Sequence, residues 1–324
     1  MLIYDNALWL LLAALLLDAV VGDPDWIWRR LPHPVVWIGK AISFFDKRLN
    51  LPDMTASRRK FGGVVALLCL IVGGLITGAA IHALAAVVPY GETLIVVTAA
   101  IFIAQNSLYR HVAAVRDGLE QGGLEGGRKA VAMIVGRDPE QLDEAGVSRA
   151  AIESCAENFS DGVVAPVFWF ALFGLPGLLI YKAVNTADSM IGHKNETYLD
   201  FGWASAKFDD LINLPASRLS GLFIAFSAPI ARGSIGKSLA CIFADAGKHR
   251  SPNAGWPEAA MAGALNIALA GPRAYPGYTV EDPYLNERGR HKTNGNDIDR
   301  AGMVMIGACT IQALAIALFA VFAS

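Results

Sequence analysis

The stretch from Phe61 to Val88, FGGVVALLCLIVGGLITGAAIHALAAVV, contains no Asp, Glu, Lys or Arg. A helix that crosses a bilayer needs about 20 consecutive, mostly apolar residues. Within the hydrocarbon core the backbone must satisfy its own hydrogen bonds, and a helix does so inside a single segment. We therefore predict a transmembrane helix here. Similar apolar stretches occur at Ile3–Val21, Thr93–Ala104 continuing toward Tyr109, Gly162–Tyr181, Leu211–Ala231 and Ala301–Phe322.

The composition of the whole chain agrees with this prediction. The 324 residues are 54% hydrophobic and 17% charged, with a mean hydropathy of +0.42, whereas soluble domains carry about 25% charged residues. We predict an all-α, polytopic integral membrane bundle that forms one domain over residues 1–324, with about 4–6 transmembrane helices. Re-entrant or short packed helices and amphipathic cytoplasmic helices complete the predicted fold. Ile3–Val21 is interpreted as a retained first span because it lacks the basic start of a signal peptide.

The distribution of charge predicts the orientation of the chain. Eight Lys or Arg residues lie between Val21 and Phe61, against four acidic residues. Cytoplasmic loops carry such an excess of basic residues. We therefore place 22–60 in the cytoplasm, together with the polar segments 109–161 and 232–300. Strict alternation of the spans then places Lys182–Asp210 on the outer side.

Two of these polar segments contain helix signals. In 109–161 we predict two short amphipathic helices separated by residues 136–139, with Asp138 as the cap of the second and Pro139 at its first position. In 232–300, Ser251-Pro252-Asn253 precedes a helix of about fourteen small residues, which is too short to cross a membrane comfortably. Small residues allow close approach of backbones. We interpret this helix as re-entrant or packed.

Carboxylate and amide side chains recur three residues apart near the ends of apolar segments. Residues three apart share one face of a helix, and hard oxygen ligands of this kind suit Mg²⁺, which completes its shell with water and substrate phosphate. Helix capping by Asp and Asn is the alternative for each pair alone, but three pairs at span ends favour a shared polar site. The pairs are Asn158 with Asp161, Asn185 with Asp188, and Asp210 with Asn213.

Basic and aromatic residues lie near these pairs in the sequence. Arg218 either extends from its span to the membrane interface or binds phosphate through two parallel hydrogen bonds. The prolines around His33 argue against a regular helix, and Trp37 suits either an interfacial aromatic belt or a surface for a flat ligand. The other basic candidates are Lys182, His193, Lys194 and Lys207.

Residue spacing alone therefore predicts a membrane protein with an acidic, Mg²⁺-dependent phosphate site. A membrane transferase that acts on a phosphorylated or diphosphate substrate, like the prenyltransferases, fits the pairs almost as well, but it predicts clustered D-x-x-x-D repeats that the chain lacks. A transporter or binding protein predicts inverted repeats and charges in mid-span, which are also absent from the sequence.

Four motifs together resemble the adenosylcobinamide-phosphate synthase family (CobD/CbiB type) of cobalamin biosynthesis, in order and over nearly the whole chain. Two departures are Lys207, where that family more often has Arg, and Ala270-Gly271 in place of two glycines. The motifs are GDPDWIWRRLPHPVVWIGK (22–40), ENFSDGVVAPVFW (157–169), YKAVNTADSMIGHKNETYLDFGWASAKFDDLINLPASRL (181–219) and SPNAGWPEAAMAGALNIALAG (251–271).

The resemblance implies an ATP-dependent amide ligase in the bacterial cytoplasmic (inner) membrane, with a cytoplasmic active site. Such an enzyme joins the free propionate carboxyl of adenosylcobyric acid to the amine of (R)-1-aminopropan-2-ol phosphate, or a related amino alcohol phosphate, and makes adenosylcobinamide phosphate. ATP and Mg²⁺ are the implied cofactors, and the bilayer is the implied surroundings. We expect no nucleic-acid partner, and either a homo-oligomer or association with other late cobalamin-pathway enzymes.

The resemblance also implies roles for the polar residues within that reaction. Because ATP and adenosylcobyric acid are cytoplasmic, we expect either that 162–181 is re-entrant or that the following polar loop folds back into a cytoplasm-facing cavity. The predicted metal ligands are Asp161, Asp188, Asp209 and Asp210. The predicted catalytic residues are Glu157, Asp161, Lys182, Asp188 and Lys194, with His33 or His193 as the base. The predicted substrate and phosphate contacts are Asn158, Asn185, Lys207, Asn213, Arg218, Asn253 and Trp37.

Overall fold

A computed structural model describes residues 6–135, 138–275 and 278–323 of the protein. These residues form thirteen α-helices and four very short strands. The helices are α1 (Ala7–Val21), α2 (Asp25–Trp28), α3 (Pro34–Leu49), α4 (Ala56–Val87), α5 (Glu92–Phe102), α6 (Gln105–Val131), α7 (Glu144–Phe159), α8 (Ala165–Ile191), α9 (Trp203–Ile212), α10 (Leu214–Ser227), α11 (Ile235–Asp245), α12 (Gly255–Leu265) and α13 (Gly295–Ala323).

Short elements connect these helices. A π-helical turn at Ser160–Val164 joins α7 to α8, and 3₁₀ turns lie at Pro139–Gln141, Ala228–Ala231 and Ala246–Lys248. The strands are β1 (Leu269–Ala270), β2 (Arg273–Tyr275), β3 (Tyr278–Val280) and β4 (Tyr284–Leu285). β1 pairs with β4 and β2 pairs with β3, both antiparallel.

Five helical stretches in the described chain are long and apolar enough to cross a membrane, which confirms the predicted polytopic helical membrane fold. The first apolar segment forms a shorter helix, α1, of fifteen residues; residues 3–5 of the predicted span lie outside the described residues. The five stretches are Ala56–Val87, Glu92–Val131, Glu144–Ile191, Leu214–Ala231 and Gly295–Phe322.

The chain divides into two compact units, each assembled from separate segments. The first unit contains Met1–Ala104, Ala165–Asn213 and Ile316–Ser324, and the second contains Gln105–Val164 and Leu214–Ala315. In the first unit, α3, α4 and α8 enclose a core that includes Ile42, Leu70 and Phe201. The prediction of a single domain over 1–324 stays a prediction.

α8 is a helical hairpin in the first unit. The helix breaks at Gly174, whose φ of 63° and ψ of −153° are accessible to glycine and unfavourable for other residues. Beyond the break the chain turns back. The turn brings Gly177 so close to Trp169 that a side chain at Gly177 would collide with the carbonyl oxygen of Trp169. The apolar segment predicted at Gly162–Tyr181 therefore forms a hairpin rather than one straight helix, and its second arm continues as far as Ile191.

His82 explains how this turn is accommodated. The break frees the backbone N–H of Leu175, which donates to Nε2 of the buried His82 on α4 at 3.2 Å. An unpaired N–H in an apolar environment costs about 1–3 kcal/mol, so the histidine has a structural task inside an otherwise apolar span. Gly78 lets the two elements meet, since a side chain there would collide with the backbone at Pro176.

The loop that follows the hairpin is bound to the basic segment before α4. Asn50 donates to the carbonyl of Thr197 at 3.1 Å, and Arg59 forms an ion pair with Asp200 at 2.9 Å. Nζ of Lys60 lies 3.8 Å from the centre of the Trp203 ring. This loop therefore lies at the end of α4 where residues 50–60 lie. Strict alternation, which placed Lys182–Asp210 on the side opposite to 22–60, is wrong because this loop is bound to Asn50 and Arg59 at the start of α4.

The prolines after the first apolar segment do not prevent a helix from forming. Pro34 occupies the first position of α3, where no backbone N–H is needed. Nδ1 of His33 accepts from the N–H of Val35 at 3.2 Å and caps the helix. The interpretation of this region as non-helical is wrong from Pro34 onward, because only interior prolines break a helix.

In the second unit the helix boundaries differ from the predictions in one respect. Asp138 caps only the 3₁₀ turn, while Oδ1 of Asp143 accepts from Gly146 N at 2.7 Å and begins α7. Residues 136–137 of the predicted separator lie outside the described residues. The small-residue helix forms as α12, and all of its residues except Trp256 are buried.

Candidate functional site

Asp209 is the centre of a polar network in the first unit. Its side chain is buried near the end of α9. Oδ2 accepts from the amide of Asn213 at 2.9 Å, and Oδ1 accepts from the amide of Asn185 on α8 at 3.3 Å. The hydroxyl of Tyr181 donates to Oδ1 of Asn213 at 2.9 Å. Two helices thus hold one carboxylate in a fixed orientation.

Burial raises the pKa of Asp209 from its ordinary value of 3.8 to about 7. The negative charge of Asp188 raises this pKa further and Asp210 adds a smaller effect, whereas the hydrogen bonds from Asn185 and Asn213 lower it. Burial of the charge and repulsion from the neighbouring carboxylates both disfavour the ionised form of Asp209. A bound cation would relieve both.

The position of the carboxylates on their helices adds to this effect. Asp188 lies in the last turn of α8, and Asp209 and Asp210 lie in the last turn of α9; neither turn contains a basic residue. Helix C-termini carry partial negative charge and favour cations. The capping alternative is wrong for these residues, since Asp caps the N-terminal end of a helix. Three carboxylates therefore lie at the ends of two helices that carry partial negative charge.

The predicted basic residues differ in how closely they approach these acids. Nζ of Lys207 lies 3.9 Å from Oδ2 of Asp210, in an exposed pair. His193 is exposed just after α8 and lies within electrostatic range of Asp188. Lys194 is exposed in the same loop, and Lys182 is half-buried on α8. Exposed pairs contribute little stability, so the pairing of Lys207 with Asp210 would not oppose a contact of Lys207 with a ligand.

The carboxylates of this network fit one mode of Mg²⁺ binding. Among the described residues, no three His, Cys, Asp or Glu side chains come close enough together to form a metal cage. Mg²⁺ usually binds through one or two carboxylates and completes its shell with water and substrate phosphates. The buried Asp209 beside Asp188 and Asp210 fits that mode of binding, and it does not fit a site made by protein ligands alone.

The observed pairing differs from the predicted spacing. Asn213 bonds to Asp209 four residues earlier, not to Asp210, and Asn185 bonds across to α9. Tyr181 was not among the predicted residues, although it lies four residues before Asn185 on the same face of α8. The amides of Asn185 and Asn213 position Asp209, and their predicted contact with substrate stays a prediction.

Arg218 and Asn253 form a second polar group, in the second unit. Arg218 Nη1 donates to the carbonyl of Pro252 and to Oδ1 of Asn253, both at 3.1 Å. The guanidinium lies 4.8 Å from the centre of the Trp256 ring, and Ser217 Oγ also donates to Asn253. Arg218 is therefore held against the loop before α12, so simple extension to the membrane interface does not describe it.

The motif ENFSDGVVAPVFW begins at the end of α7 and passes through the π-helical turn in the second unit. Glu157 and Asn158 are exposed, and the amide of Asn158 donates back to the carbonyl of Ser154 at 2.9 Å. Asp161 is half-buried within the π-helical turn, an element frequent at functional sites. Its predicted sharing of a metal ion with residues of the first unit stays a prediction.

His33 and Trp37 lie at the start of α3 in the first unit. His33 caps the helix, and its Nε2 lies 3.7 Å from Asp23. Trp37 lines an apolar cavity whose described lining contains no charged side chain. Neither residue has a described contact with the Asp209 network, and their predicted roles as base and substrate contact stay predictions.

Fold and site together define a multi-pass helical membrane protein with a buried carboxylate centre. The family model for the CobD/Cbib protein matches residues 11–305. The chain therefore belongs to the CobD/CbiB protein family.

Similar curated proteins carry the name cobalamin biosynthesis protein CobD. One from Sinorhizobium sp is 59% identical over 312 residues, covering 95% of this chain and 97% of that protein. One from Rhizobium meliloti (strain 1021) is 55% identical over 311 residues, with 95% of each chain covered. One from Rhodobacter capsulatus is 47% identical over 277 residues, with 86% of each covered. No solved structure is significantly similar to this chain.

Proposed function

We propose that this protein is an ATP-dependent amide ligase of cobalamin biosynthesis. It joins the propionate carboxyl of adenosylcobyric acid to the amine of (R)-1-aminopropan-2-ol phosphate, or a related amino alcohol phosphate, and yields adenosylcobinamide phosphate. Family membership over residues 11–305 and the names of the curated relatives support the pathway. The observation that supports phosphate chemistry is the buried Asp209 beside Asp188 and Asp210 at the ends of two helices.

The buried carboxylate of Asp209, together with that of Asp188 or Asp210 beside it, would hold Mg²⁺ that arrives with the nucleotide. Bound there, the ion would supply charge neutralisation for the triphosphate of ATP, which is its usual role in phosphoryl transfer. Asn185 and Asn213 keep the carboxylate of Asp209 aimed in one direction through their hydrogen bonds. Tyr181 in turn holds the amide of Asn213.

The exposed cations beside this centre have the complementary task. Lys194 and Lys207 are exposed to solvent, and Lys182 lies on the same helix as Asp188. Lysine ammonium groups are compact charges that suit phosphate, so they would neutralise the phosphoryl group as it leaves ATP for the propionate. His193, within electrostatic range of Asp188, is the better placed candidate for the base that deprotonates the incoming amine.

Arg218 would bind an anionic group of a substrate in the second unit. Its described hydrogen bonds use Nη1, and stacking on Trp256 fixes the plane of the guanidinium. A fixed planar guanidinium presents paired donors to phosphate or carboxylate oxygens. Asn253 acts through Arg218, because its carbonyl oxygen anchors the arginine.

The reaction is tested with the purified full-length protein in detergent, supplied with adenosylcobyric acid, aminopropanol phosphate, ATP and Mg²⁺. We expect a product of the mass of the amide, formed together with ADP and inorganic phosphate. Asp188→Asn should reduce its rate at least about 100-fold, an effect of the size seen when a charge-stabilising group is removed. Asp53→Asn, in an exposed loop of the same unit, is the control.

Folded protein that makes no amide would refute the ligase assignment. A wild-type rate in folded Asp188→Asn protein would refute the metal-binding assignment alone. A parallel incubation with a prenyl diphosphate and the same corrinoid separates the alternative, because a transferase would release diphosphate without consuming ATP.

A further inference from the structure

The first unit contains an apolar cavity that the proposed reaction does not use. Its volume is about 470 Å³, and its walls come from α3, α4, α5 and α8. Trp37 and Phe45 contribute from α3, Gly73 from α4 and Phe102 from α5. The volume lies within the roughly 300–1,000 Å³ of small-molecule sites. The apolar lining suits a hydrocarbon chain.

The exposed side of α3 supplies positive charge at the border of this cavity. Lys40, Lys47 and Arg48 are exposed, and none has a carboxylate partner among the described contacts. Lys40 follows Trp37 by three residues and Arg48 follows Phe45 by three, so these basic residues lie next to cavity-lining residues on the helix surface. The apolar face and the basic face of α3 therefore meet along the cavity.

A helix with one apolar and one basic face lies in the membrane interface. α3 directly precedes α4, the wall of the cavity that is long and apolar enough to span the membrane. Clusters of Lys and Arg beside such a span attract anionic lipid headgroups. A soluble apolar ligand would explain the cavity but would leave the charges without a function.

We propose that this cavity binds one acyl chain of an anionic phospholipid, whose headgroup lies beside Lys40 and Arg48. The apolar lining selects the chain, and the two cations select the charge of the headgroup. Trp37 is then a lipid contact rather than the substrate contact that its sequence context indicated. Lipid binding is measured without ATP or corrinoid, so its outcome does not depend on the proposed ligase reaction.

Gly73 offers a way to fill the cavity without disturbing the fold. A Cβ added at this position meets no atom within 4 Å, so the side chain of Gly73→Phe enters the space that the acyl chain would occupy. Ile76→Phe is the matched control, because Ile76 lies on the same helix, is 62% exposed and does not line the cavity. Gly73→Leu serves as a smaller second variant if the phenylalanine impairs folding.

The experiment titrates delipidated protein in detergent with phosphatidylglycerol or with phosphatidylcholine of the same acyl chains, and counts bound lipids by native mass spectrometry. We expect one tightly bound phosphatidylglycerol, preferred at least about tenfold over phosphatidylcholine. Gly73→Phe should weaken its binding at least about tenfold, while Ile76→Phe binds like the wild type. Lys40→Gln with Arg48→Gln should remove the preference, and Lys129→Gln, a 77% exposed lysine of the second unit, should not.

Wild-type binding by folded Gly73→Phe or Gly73→Leu protein would overturn the assignment of the cavity. Equal affinity for the two lipids, or a preference that survives in the Lys40→Gln, Arg48→Gln protein, would overturn the assignment of the headgroup. Thermal unfolding without added lipid verifies that each variant is folded.

Discussion

Replacement of Asp209 by Asn should change the way in which stability depends on pH. In the folded protein the pKa of Asp209 is about 7, while 3.8 is its ordinary value and that of the unfolded chain. Between these two values the folded state keeps a proton that the unfolded state has released. The free energy of unfolding therefore falls as pH rises through this window.

The magnitude follows from the two pKa values. The folded and unfolded pKa values differ by about 3, and each pKa unit corresponds to about 1.4 kcal/mol. The wild type should thus lose up to about 4 kcal/mol of stability between about pH 4 and pH 7 through this one group. Asp209→Asn cannot ionise and should lose this contribution. The variant also gives up one of the two hydrogen bonds that Asn185 and Asn213 donate, and the effect of these bonds on the wild-type titration is already contained in its pKa of about 7.

Thermal unfolding in detergent, at about pH 5 and about pH 8 with EDTA, measures the effect. We expect the wild type to lose more stability than the variant at the higher pH. Mg²⁺ with a nucleotide should restore the wild type there, by about 2.7 kcal/mol at a hundredfold excess over its dissociation constant, and should not stabilise the variant. Asp53→Asn, with its exposed carboxylate, should behave like the wild type. Parallel pH curves for the wild type and Asp209→Asn would contradict the reasoning.

Three further predictions concern other parts of the chain. His82→Leu leaves the N–H of Leu175 unpaired and should lower stability by about 1–3 kcal/mol in thermal unfolding, whereas the exposed His111→Leu should not; equal melting temperatures for the two would be unexpected. Arg218→Lys keeps the charge but loses the planar donors, so amide formation should slow at least about tenfold in folded protein; an unchanged rate would argue against anion binding there. Ser57→Cys, in the first turn of α4, and Glu196→Cys, in the loop after α8, should react with an impermeant thiol reagent from the same side of the membrane, and labelling from opposite sides would contradict the hairpin.

The spans and the acidic residues could be predicted from sequence because both depend on local composition. The apolar stretch from Phe61 to Val88 satisfies its backbone hydrogen bonds within itself, so it needs no information from the rest of the chain. The spacing of Asn185 and Asp188 likewise places them on one helix face. The family motifs extended this prediction to a pathway.

The hairpin and the network could not be predicted in the same way. FALFGLPGLL remains apolar through the turn at Gly174, so composition does not distinguish a crossing helix from one that turns back. The bond from Asn185 to Asp209 joins two helices and depends on how they pack. The prediction that Pro34 excludes a helix was wrong because the effect of proline depends on its position. At the first residue of α3 it favours the helix, whereas further along it would break it.

The hairpin of α8 also constrains the order in which the protein can be assembled in the membrane. Its entering arm, from Ala165 to the break at Gly174, is about 13 Å long at 1.5 Å per residue, less than half of the roughly 30 Å hydrocarbon layer. Lipid alone cannot satisfy the N–H of Leu175, whose acceptor is His82 on α4. Because α4 is synthesised before the hairpin, the ribosome delivers the acceptor first, and the hairpin enters a membrane that already contains its binding partner. Translation order thus protects a polar turn that no isolated segment could bring into the bilayer.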